Sequence, residues 1–167
     1  MFPKTKTMIE IVTYKPEHQP YFEKLNSDWI KVHFDLEPVD LYVLQNPEEA
    51  IINKGGAILM ALYNGEVAGT VGLRKLDNTT FEFTKMTVDI NFRRKGIAEA
   101  LCYASFDKAK KMGATSVILY SNTVQAEAIK LYEKIGFQHL PVENTVYKRA
   151  NVKMMIELNE VVKPIKQ

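Results

Sequence analysis

The sequence predicts a mixed α/β fold in which a mostly antiparallel sheet contains one central parallel βαβ unit and carries helices on both faces. Two apolar runs are joined by Asn64-Gly65, the dipeptide that most strongly indicates a tight hairpin. A third β-like run, Thr80–Ile90, is followed by a helical pattern at Ile97–Met112 and then by the apolar run Thr115–Tyr120. A strand, a helix and a strand in this order predict a parallel, right-handed unit.

The other elements follow from the same kinds of pattern. Residues 17–53 have an interrupted helical pattern, in which Pro38 and Pro47 each suit the first turn of a short helix. Gln125–Ile135 predicts a later helix that Gly136 ends. The last strand is expected at or near an edge of the sheet. The predicted strands are Met8–Tyr14, Ala57–Tyr63, Val67–Arg74, Thr80–Ile90, Thr115–Tyr120 and Val146–Leu158.

The composition is that of an ordinary globular protein, with 167 residues, 46% of them hydrophobic and 25% charged. The length suits one domain, which we expect to span residues 1–167. A net charge of +2 is too small to indicate nucleic acid or an anionic membrane as a partner. Cys102 is the one cysteine, and it is expected to pack in a helix rather than to react.

Three scattered histidines have no ligand spacing, so we expect no metal. No apolar run reaches the roughly 18 residues of a membrane span, and the N-terminal residues lack the apolar core of a signal peptide. We therefore expect a cytoplasmic protein without a membrane partner. The sequence leaves open whether it is a monomer or a homodimer.

A basic turn that contains one glycine joins the predicted strand Thr80–Ile90 to the next helix. The first turn of a helix has backbone N–H groups without intrahelical partners and a partial positive charge, and anionic oxygens satisfy both. The turn therefore indicates a site for a phosphate-bearing ligand, in which the glycine allows close approach of the backbone. The residues of this expected site are Arg93, Arg94, Lys95, Gly96, Ile97 and Ala98.

The same turn reads Arg-x-x-Gly-x-Ala, which resembles the pyrophosphate-binding motif of the GNAT superfamily of acyl-CoA-dependent N-acyltransferases. Three further segments resemble that superfamily in the same order, and together they cover roughly residues 80–137. They are Glu82–Val88, Leu119–Asn122 and Ala128–Phe137, the last similar to the pattern Ala-x-x-Leu-Tyr-x-Lys-x-Gly-Phe. The resemblance implies a GNAT-like sheet and acetyl-CoA as the co-substrate.

The resemblance also implies how acetyl-CoA is bound. The basic turn would take the diphosphate, and the backbone of Met86, Thr87 and Val88 would hold the pantetheine arm like an added strand. This requires the two parallel strands to separate after Met86, for example at a bulge. A backbone N–H there would polarise the thioester carbonyl. Asn122 would contact the arm from the opposite side, since its amide can both donate and accept hydrogen bonds.

Two residues are expected to carry the proton transfers. Glu82 lies six positions before Val88, where histone-acetylating members of the superfamily have their general base, and a carboxylate could take the proton of an amine directly or through water. A solvent-facing charge on a strand is the alternative for Glu82. Tyr132 could protonate the departing thiolate, since a phenol is a hydrogen donor. Simple packing is the alternative for Tyr132.

The residues that would bind the acceptor are less well defined. In the superfamily the region between the first two strands forms one wall of the acceptor cleft, and core packing or solvation is the alternative for each residue there. On the last strand, three polar residues would share a face by alternation and could hold a carboxylate, or could form a polar outer surface. The candidates are Trp29, Phe34 and Glu37 in the first region and Tyr147, Arg149 and Asn151 on the strand.

These observations together predict an N-acetyltransferase that moves an acetyl group to a primary amine of a small molecule or peptide by direct attack in a ternary complex. A non-catalytic acyl-CoA-binding sensor of the same fold is the alternative. It would share the diphosphate turn but need neither acid nor base. A nucleotide kinase is disfavoured, because the chain lacks the lysine motif and the Mg²⁺-binding motif of such enzymes.

Overall fold

A seven-stranded sheet in the order β1-β2-β3-β4-β5-β7-β6 is the framework of the protein. The computed structural model describes residues 8–143 and 147–164. The strands are β1 Ile9–Thr13, β2 Ala57–Tyr63, β3 Glu66–Lys75, β4 Thr80–Val88, β5 Ser116–Ser121, β6 Gln138–Leu140 and β7 Val152–Glu157. The helices are α1 Gln19–His33, α2 Pro38–Gln45, α3 Ile97–Lys111 and α4 Ala126–Ile135, with short turns at Pro16–His18, Glu48–Ile52, Ile90–Phe92 and Leu158–Glu160.

Among the strand pairs in the described part of the chain, only β4 and β5 are parallel, and the other five pairs are antiparallel. Strand β4, helix α3 and strand β5 therefore form the expected central βαβ unit. The hairpin between β2 and β3 turns at Asn64 and Gly65, whose φ angles are 50° and 87°. Two consecutive positive φ values match the twist of the flanking strands, which is why this dipeptide suits the turn.

Alternation along β2 shows how the two faces of the sheet are covered. Ile58 and Met60 pack with Phe22 of α1 and Leu44 of α2 in one buried cluster. Leu59, the residue between them, belongs to a second cluster that includes residues of α3 and α4. Helices therefore lie on both faces, as the sequence predicts, because successive side chains of a strand point to opposite sides.

Strands β4 and β5 separate early in the parallel pair. Their pairing runs from Thr80 opposite Ser116 only as far as Glu82 opposite Ile118. Further along β4, Thr84 lies opposite Gly72 and Thr87 opposite Thr70, so two residues of β4 face a single residue of β3. This is a β-bulge, and Lys85 within it has a φ of 55°.

The parallel strands do separate, as expected, but they separate earlier along β4 than predicted. We expected the parallel strands to separate after Met86, whereas the pairing ends at Glu82. The physical reason is the bulge itself, because an extra residue bends β4 before Met86 is reached. The edge of β4 that faces β5 consequently has no strand partner beyond Glu82.

The last part of the chain differs from the prediction of one long strand over Val146–Leu158. Val146 lies outside the described residues, and the residues from Tyr147 to Ala150 form a turn closed by a 3.2 Å bond from Ala150 N–H to the carbonyl of Tyr147. Strand β7 therefore begins only at Val152. The short edge strand β6 was not predicted, since three residues are too few to show periodicity. It makes β7 the second strand from the edge.

Candidate active site

A cleft opens where β4 and β5 separate. Its walls are the β4 segment from Glu82 to Met86, the end of β5 from Leu119 to Asn122, Trp29 of α1, Tyr132 of α4 and the turn that carries Tyr147 and Arg149. The cleft thus receives residues from both faces of the sheet. Glu82 lies on the α1 side, while Tyr132 and the neighbouring Phe83 belong to the cluster beneath α3 and α4.

The basic turn precedes α3 directly, as the sequence predicts. Gly96 is the N-cap residue, with a φ of 82°, and the first hydrogen bond of the helix runs from Ala100 N–H to the Gly96 carbonyl at 3.1 Å. The N–H groups of Ile97, Ala98 and Glu99 come before that bond and so have no place in the helical ladder. Apart from its two chain neighbours, a Cβ on Gly96 would meet nothing within 4 Å, so the space beside Gly96 is open.

The side chains of the turn contribute unequally. Arg93, Arg94 and Lys95 are exposed, while the ammonium of Lys95 lies 5.1 Å from the centre of the Tyr63 ring. Ile97 is buried in the core, so its side chain cannot reach a ligand and only its N–H group is available. Three positive charges around free helix N–H groups form a site that suits a diphosphate.

The expected arm-binding segment consists of three residues with different environments. Met86 is half-buried and lines the cleft. Thr87 and Val88 do not line it, and they pair with Thr70 and Gly69 of β3. Their opposite backbone edge has no partner in β5, because the parallel pairing has already ended. This free edge is what a pantetheine arm would need in order to bind like an added strand.

Glu82 is a buried carboxylate held from two sides, and its side chain is only 1% exposed. Oε1 accepts hydrogen bonds from Nη2 and Nε of Arg74 at 2.9 and 3.2 Å. Oε2 accepts a bond from the hydroxyl of Tyr147 at 2.9 Å. The alternative of a solvent-facing charge is therefore wrong. Burial, followed by the negative charge of Glu82, raises the pKa of Tyr147, which keeps the phenol protonated as a donor.

Arg74 is not among the site residues predicted from the sequence. Arg74 and Glu82 are directly opposite each other on β3 and β4. Opposite charges at facing positions of an antiparallel pair stabilise the pair. A two-residue turn at Asp77-Asn78 would have aligned Arg74 with Phe81. The observed register, in which Leu76 N–H bonds the carbonyl of Thr80, places Arg74 opposite Glu82 instead.

Tyr132 combines both interpretations that the sequence left open. Its ring packs edge-to-face against Phe83 at 5.8 Å and Phe137 at 5.7 Å, and burial raises the pKa of its phenol. The residue also lines the cleft, and its hydroxyl makes no hydrogen bond to any part of the chain that the structure describes. The ring is thus fixed by packing, while the neutral hydroxyl remains available to a group bound in the cleft.

A buried ionic network closes the acceptor side of the cleft. Asp40 of α2 binds Lys85 at 3.0 Å and receives two bonds of 2.8 Å from Arg149. Arg149 also bonds Glu37 at 3.0 Å. Burial alone would raise the pKa of Asp40, but the bonds from Arg149 and the charge of Lys85 outweigh it and lower the pKa from 3.8 to about 2. Burial lowers the pKa of Lys85, and the charge of Asp40 opposes that effect.

The structure divides the expected acceptor residues into two groups. Trp29, Tyr147 and Arg149 line the cleft. Phe34 and Glu37 do not line it, and instead they contact the guanidinium of Arg149. The expectation that they bind the acceptor directly is therefore not met. Lys85 is a further residue of this site that the sequence does not distinguish, since a single lysine in a strand carries no specific signal.

The expected common face of the last strand is also wrong, because Tyr147 and Arg149 belong to the turn before β7. Asn151 is exposed and forms bonds with Thr123, so it does not reach the cleft. Asn122 does line the cleft, but its amide donates to the carbonyl of Arg149 at 2.7 Å and accepts from Val124 N–H at 3.0 Å. Its first role is thus to fix the turn that carries Arg149.

No group of three or more metal-binding side chains occurs in residues 8–143 and 147–164. Within the same ranges, no helix is long and apolar enough to cross a membrane. The cytoplasmic location and the domain count stay predictions.

In this mixed sheet, the two parallel strands separate beside a basic helix N-terminus. This is the acyltransferase architecture that the sequence motifs indicated. The chain belongs to the acetyltransferase (GNAT) family, because the model of that family matches residues 16–137. The resemblance stated from the sequence is thereby confirmed.

The relatives of this chain are named as N-acetyltransferases or as N-acetylaspartate synthetases. The N-acetylaspartate synthetase of Rattus norvegicus is 33% identical over 110 residues, which cover 65% of this chain and 34% of that protein. An N-acetyltransferase of Bacillus subtilis is 27% identical over 116 residues, which cover 68% of this chain and 75% of that protein. This chain thus matches about a third of the length of the rat protein.

Solved structures share the fold over most of the chain. A GNAT-family acetyltransferase from Staphylococcus aureus has a TM-score of 0.82 and 22% identity, covering 90% of this chain and 99% of that one. The acetyltransferase yncA of Salmonella typhimurium was solved with its cofactor acetyl-CoA. It has a TM-score of 0.72 and 19% identity, and the match covers 94% of this chain and 98% of that one. These similarities confirm the mixed, mostly antiparallel fold.

Proposed function

We propose that the protein transfers an acetyl group from acetyl-CoA to a primary amine by direct attack in a ternary complex. The observation that carries the proposal is the cleft between β4 and β5, which joins a buried carboxylate on one face of the sheet to a free phenol on the other. Family membership and the acetyl-CoA in the Salmonella structure support the choice of donor.

The residues present suit acetyl-CoA. Arg93, Arg94 and the N–H groups after Gly96 would hold the diphosphate, and the open space at Gly96 lets phosphate oxygens approach the backbone. The free edge of β4 would bind the pantetheine arm. A backbone N–H group near Met86 would then stabilise the negative charge that develops on the thioester oxygen.

The acceptor must lose a proton before it attacks, because an alkyl ammonium is charged at neutral pH. Glu82 is enclosed, and Tyr147 bonds one of its oxygens. We therefore assign Tyr147 as the relay: its oxygen accepts the ammonium proton while its own proton passes to Glu82. The free amine attacks the thioester carbon, the C–N bond forms and the C–S bond breaks.

Tyr132 is assigned as the acid that completes the reaction. The departing thiolate of CoA takes the phenolic proton, and the products are the amide and free CoA thiol. The attacking nitrogen loses its second proton to solvent as the amide forms. Solvent returns a proton to Tyr132, and Glu82 releases its proton through Tyr147. No covalent enzyme intermediate is part of this sequence. Cys102, the cysteine of the chain, is fully buried, and burial raises the pKa of its thiol.

The decisive experiment measures thiol release from acetyl-CoA by the purified protein in the presence of a panel of amines. The panel contains amino acids, polyamines, aminoglycosides and lysine peptides, and mass spectrometry of the products locates the acetyl group on nitrogen. Turnover of at least one amine is expected. Tight binding of acetyl-CoA without turnover of any amine would contradict the proposal and favour a non-catalytic sensor.

A further inference from the structure

The guanidinium of Arg149 uses only part of its hydrogen-bonding capacity. Nη1 donates to Asp40 and to Glu37, and Nη2 donates once to Asp40. A guanidinium carries five N–H bonds. The hydrogens left over are one on Nε and one on Nη2, and they make no bond to the described part of the chain. These two hydrogens point in the same direction from one edge of the planar group.

The free edge belongs to a residue of the cleft wall. The Nη1–Nη2 edge faces α2, where both of its nitrogens bind Asp40. The Nε–Nη2 edge is the one that Asp40 does not occupy, and Arg149 is one of the residues that line the cleft. The rings of Tyr147 and Phe34 lie 5.6 and 5.9 Å from the guanidinium carbon, so they restrict its motion.

The position of this edge is fixed before any ligand binds. Asp40 has no exposed side-chain surface, and it also accepts a bond from the backbone N–H of Glu37 at 3.0 Å. The guanidinium is thus oriented by groups at the start of α2. Two parallel N–H donors on a rigid guanidinium suit a carboxylate, which can bind both at once. A preoriented group also loses little conformational freedom when the ligand binds.

The charges around the cleft favour an acceptor without net charge. Lys85 and Arg149 are balanced by Asp40 and Glu37, and the charge of Glu82 is balanced by Arg74. A polyamine would bring several positive charges to a cleft whose described residues carry no excess of carboxylates. An amino acid brings one ammonium and one carboxylate, and this pair matches the balanced network.

We infer that the acceptor is an amino acid with one carboxylate. The Nε–Nη2 edge of Arg149 binds that carboxylate, and the amine is directed to Tyr147 and Glu82. This inference rests on the proposed function, because it names the substrate class of the same cleft. It differs from the activity in the name of the rat relative, since aspartate carries a second carboxylate.

The test compares matched acceptors that differ only at the carboxyl group. Phenylalanine, phenylalaninamide and phenethylamine form one set, leucine and its analogues form a second, and aspartate is measured beside them. Acetylation is followed by thiol release and mass spectrometry. A charged hydrogen-bonded pair contributes about 1.5–3 kcal/mol. We therefore expect kcat/KM for the free amino acids to exceed that of their amides and amines by about 10- to 100-fold.

Arg149→Lys keeps the charge but loses the two-donor edge, so the preference for a free carboxylate should largely disappear. Lys148→Gln is the matched control, since it removes an exposed charge from the neighbouring position and should keep the preference. Acetyl-CoA binding and thermal unfolding show that both variants fold. If Arg149→Lys does not fold, the rates of the unaltered protein on the matched acceptors still test whether a free carboxylate is preferred.

Equal rates on acids, amides and amines would overturn the inference and leave the proposed function intact. If Arg149→Lys retains the preference for a free carboxylate, the assignment of the Nε–Nη2 edge as the carboxylate-binding group is overturned. Higher kcat/KM for aspartate than for both monocarboxylates would overturn the single-carboxylate class. If none of these acceptors reacts but a polyamine, aminoglycoside or lysine peptide does, the inference fails and the proposed function stands. If acetyl-CoA binds and no amine of that wider panel reacts either, the proposed function itself fails.

Discussion

Asp40 and Lys85, which are 45 positions apart, form a 3.0 Å ion pair whose two side chains are only 0% and 5% exposed. The pair connects the first turn of α2 to the bulge that separates β4 from β5. Lys85 has a φ of 55°, a conformation that costs energy for a residue with a side chain. The ion pair therefore helps to hold the bulge in place, and with it the opening of the cleft.

The first prediction concerns the pH dependence of this network. The pKa of Asp40 is lowered from 3.8 to about 2, so its ionisation stabilises the folded protein at any pH above the higher value. This contribution is lost as the pH falls from about 4 through about 2. Asp40→Asn should lower the free energy of unfolding at pH 7 by at least about 2 kcal/mol, and by less at pH 3.

Urea denaturation at the two pH values measures this difference. Asp28→Asn is the matched control, because Asp28 forms an exposed pair with Lys24 and should change stability by less than about 1 kcal/mol. An Asp40→Asn effect of equal size at pH 7 and pH 3 would contradict the linkage to ionisation.

The second prediction concerns the buried base. Glu82→Gln keeps the size of the side chain and can still bond Tyr147, but it cannot take up a proton. We expect kcat to fall by about 10²–10⁴-fold while the KM for acetyl-CoA changes little. Steady-state kinetics on one active amine measures both constants. Glu10→Gln makes the same chemical change at an exposed position of β1 and should leave both constants unchanged. Normal kcat in Glu82→Gln would refute the relay through Tyr147.

The third prediction concerns the acid. Tyr132→Phe keeps the ring that packs on Phe83 and Phe137 and removes only the hydroxyl. The kcat should fall by about 10²–10⁴-fold, with CoA affinity nearly unchanged. Tyr103→Phe removes a hydroxyl from a ring that packs on Phe106, outside the cleft, and serves as the control. A Tyr132→Phe enzyme as fast as the unaltered protein would mean that Tyr132 serves only in packing.

The fourth prediction separates cofactor binding from chemistry. Gly96→Asp places bulk and a negative charge in the open space before the helix N-terminus, so the KM for acetyl-CoA should rise strongly. Gly65→Asp is a close control. Gly65 and Gly96 have φ values of 87° and 82°, and neither has an atom within 4 Å of an added Cβ. Backbone strain is therefore similar in the two variants. An equal rise of KM in both variants would mean that backbone strain, and not the loss of a diphosphate site at Gly96, causes the effect.

The fifth prediction tests direct attack. Cys102 has no exposed surface, and burial raises the pKa of its thiol, so it can neither reach the thioester nor ionise readily. Cys102→Ala should keep most of the activity. Kinetics with acetyl-CoA and one active amine, together with a thermal melt, provide the measurement. Loss of turnover in a folded variant that still binds CoA would indicate a covalent intermediate.

The sequence by itself determined strands β1 to β5 of the sheet and the anion-binding turn before α3. Each of these depends on residues that are close together in the chain. Asn64-Gly65 specifies its hairpin through two positive φ angles, and the turn up to Gly96 leads directly into free helix N–H groups. The pattern of Ala128–Phe137 likewise marked the helix that carries Tyr132. Local physics acts over a few residues, and the sequence displays those residues side by side.

Only the tertiary structure decided the environment of each reactive group. Glu82 receives a hydrogen bond from Tyr147, 65 positions away, and Arg149 is bound by Asp40, 109 positions away. These contacts depend on the order of the strands, on the bulge at Lys85 and on a turn where a strand was expected. A change of one residue in a bulge or a strand end redirects the side chains that follow, because their directions alternate. The chemistry of the residues was therefore evident from the sequence, whereas their partners were set by the packing of distant segments.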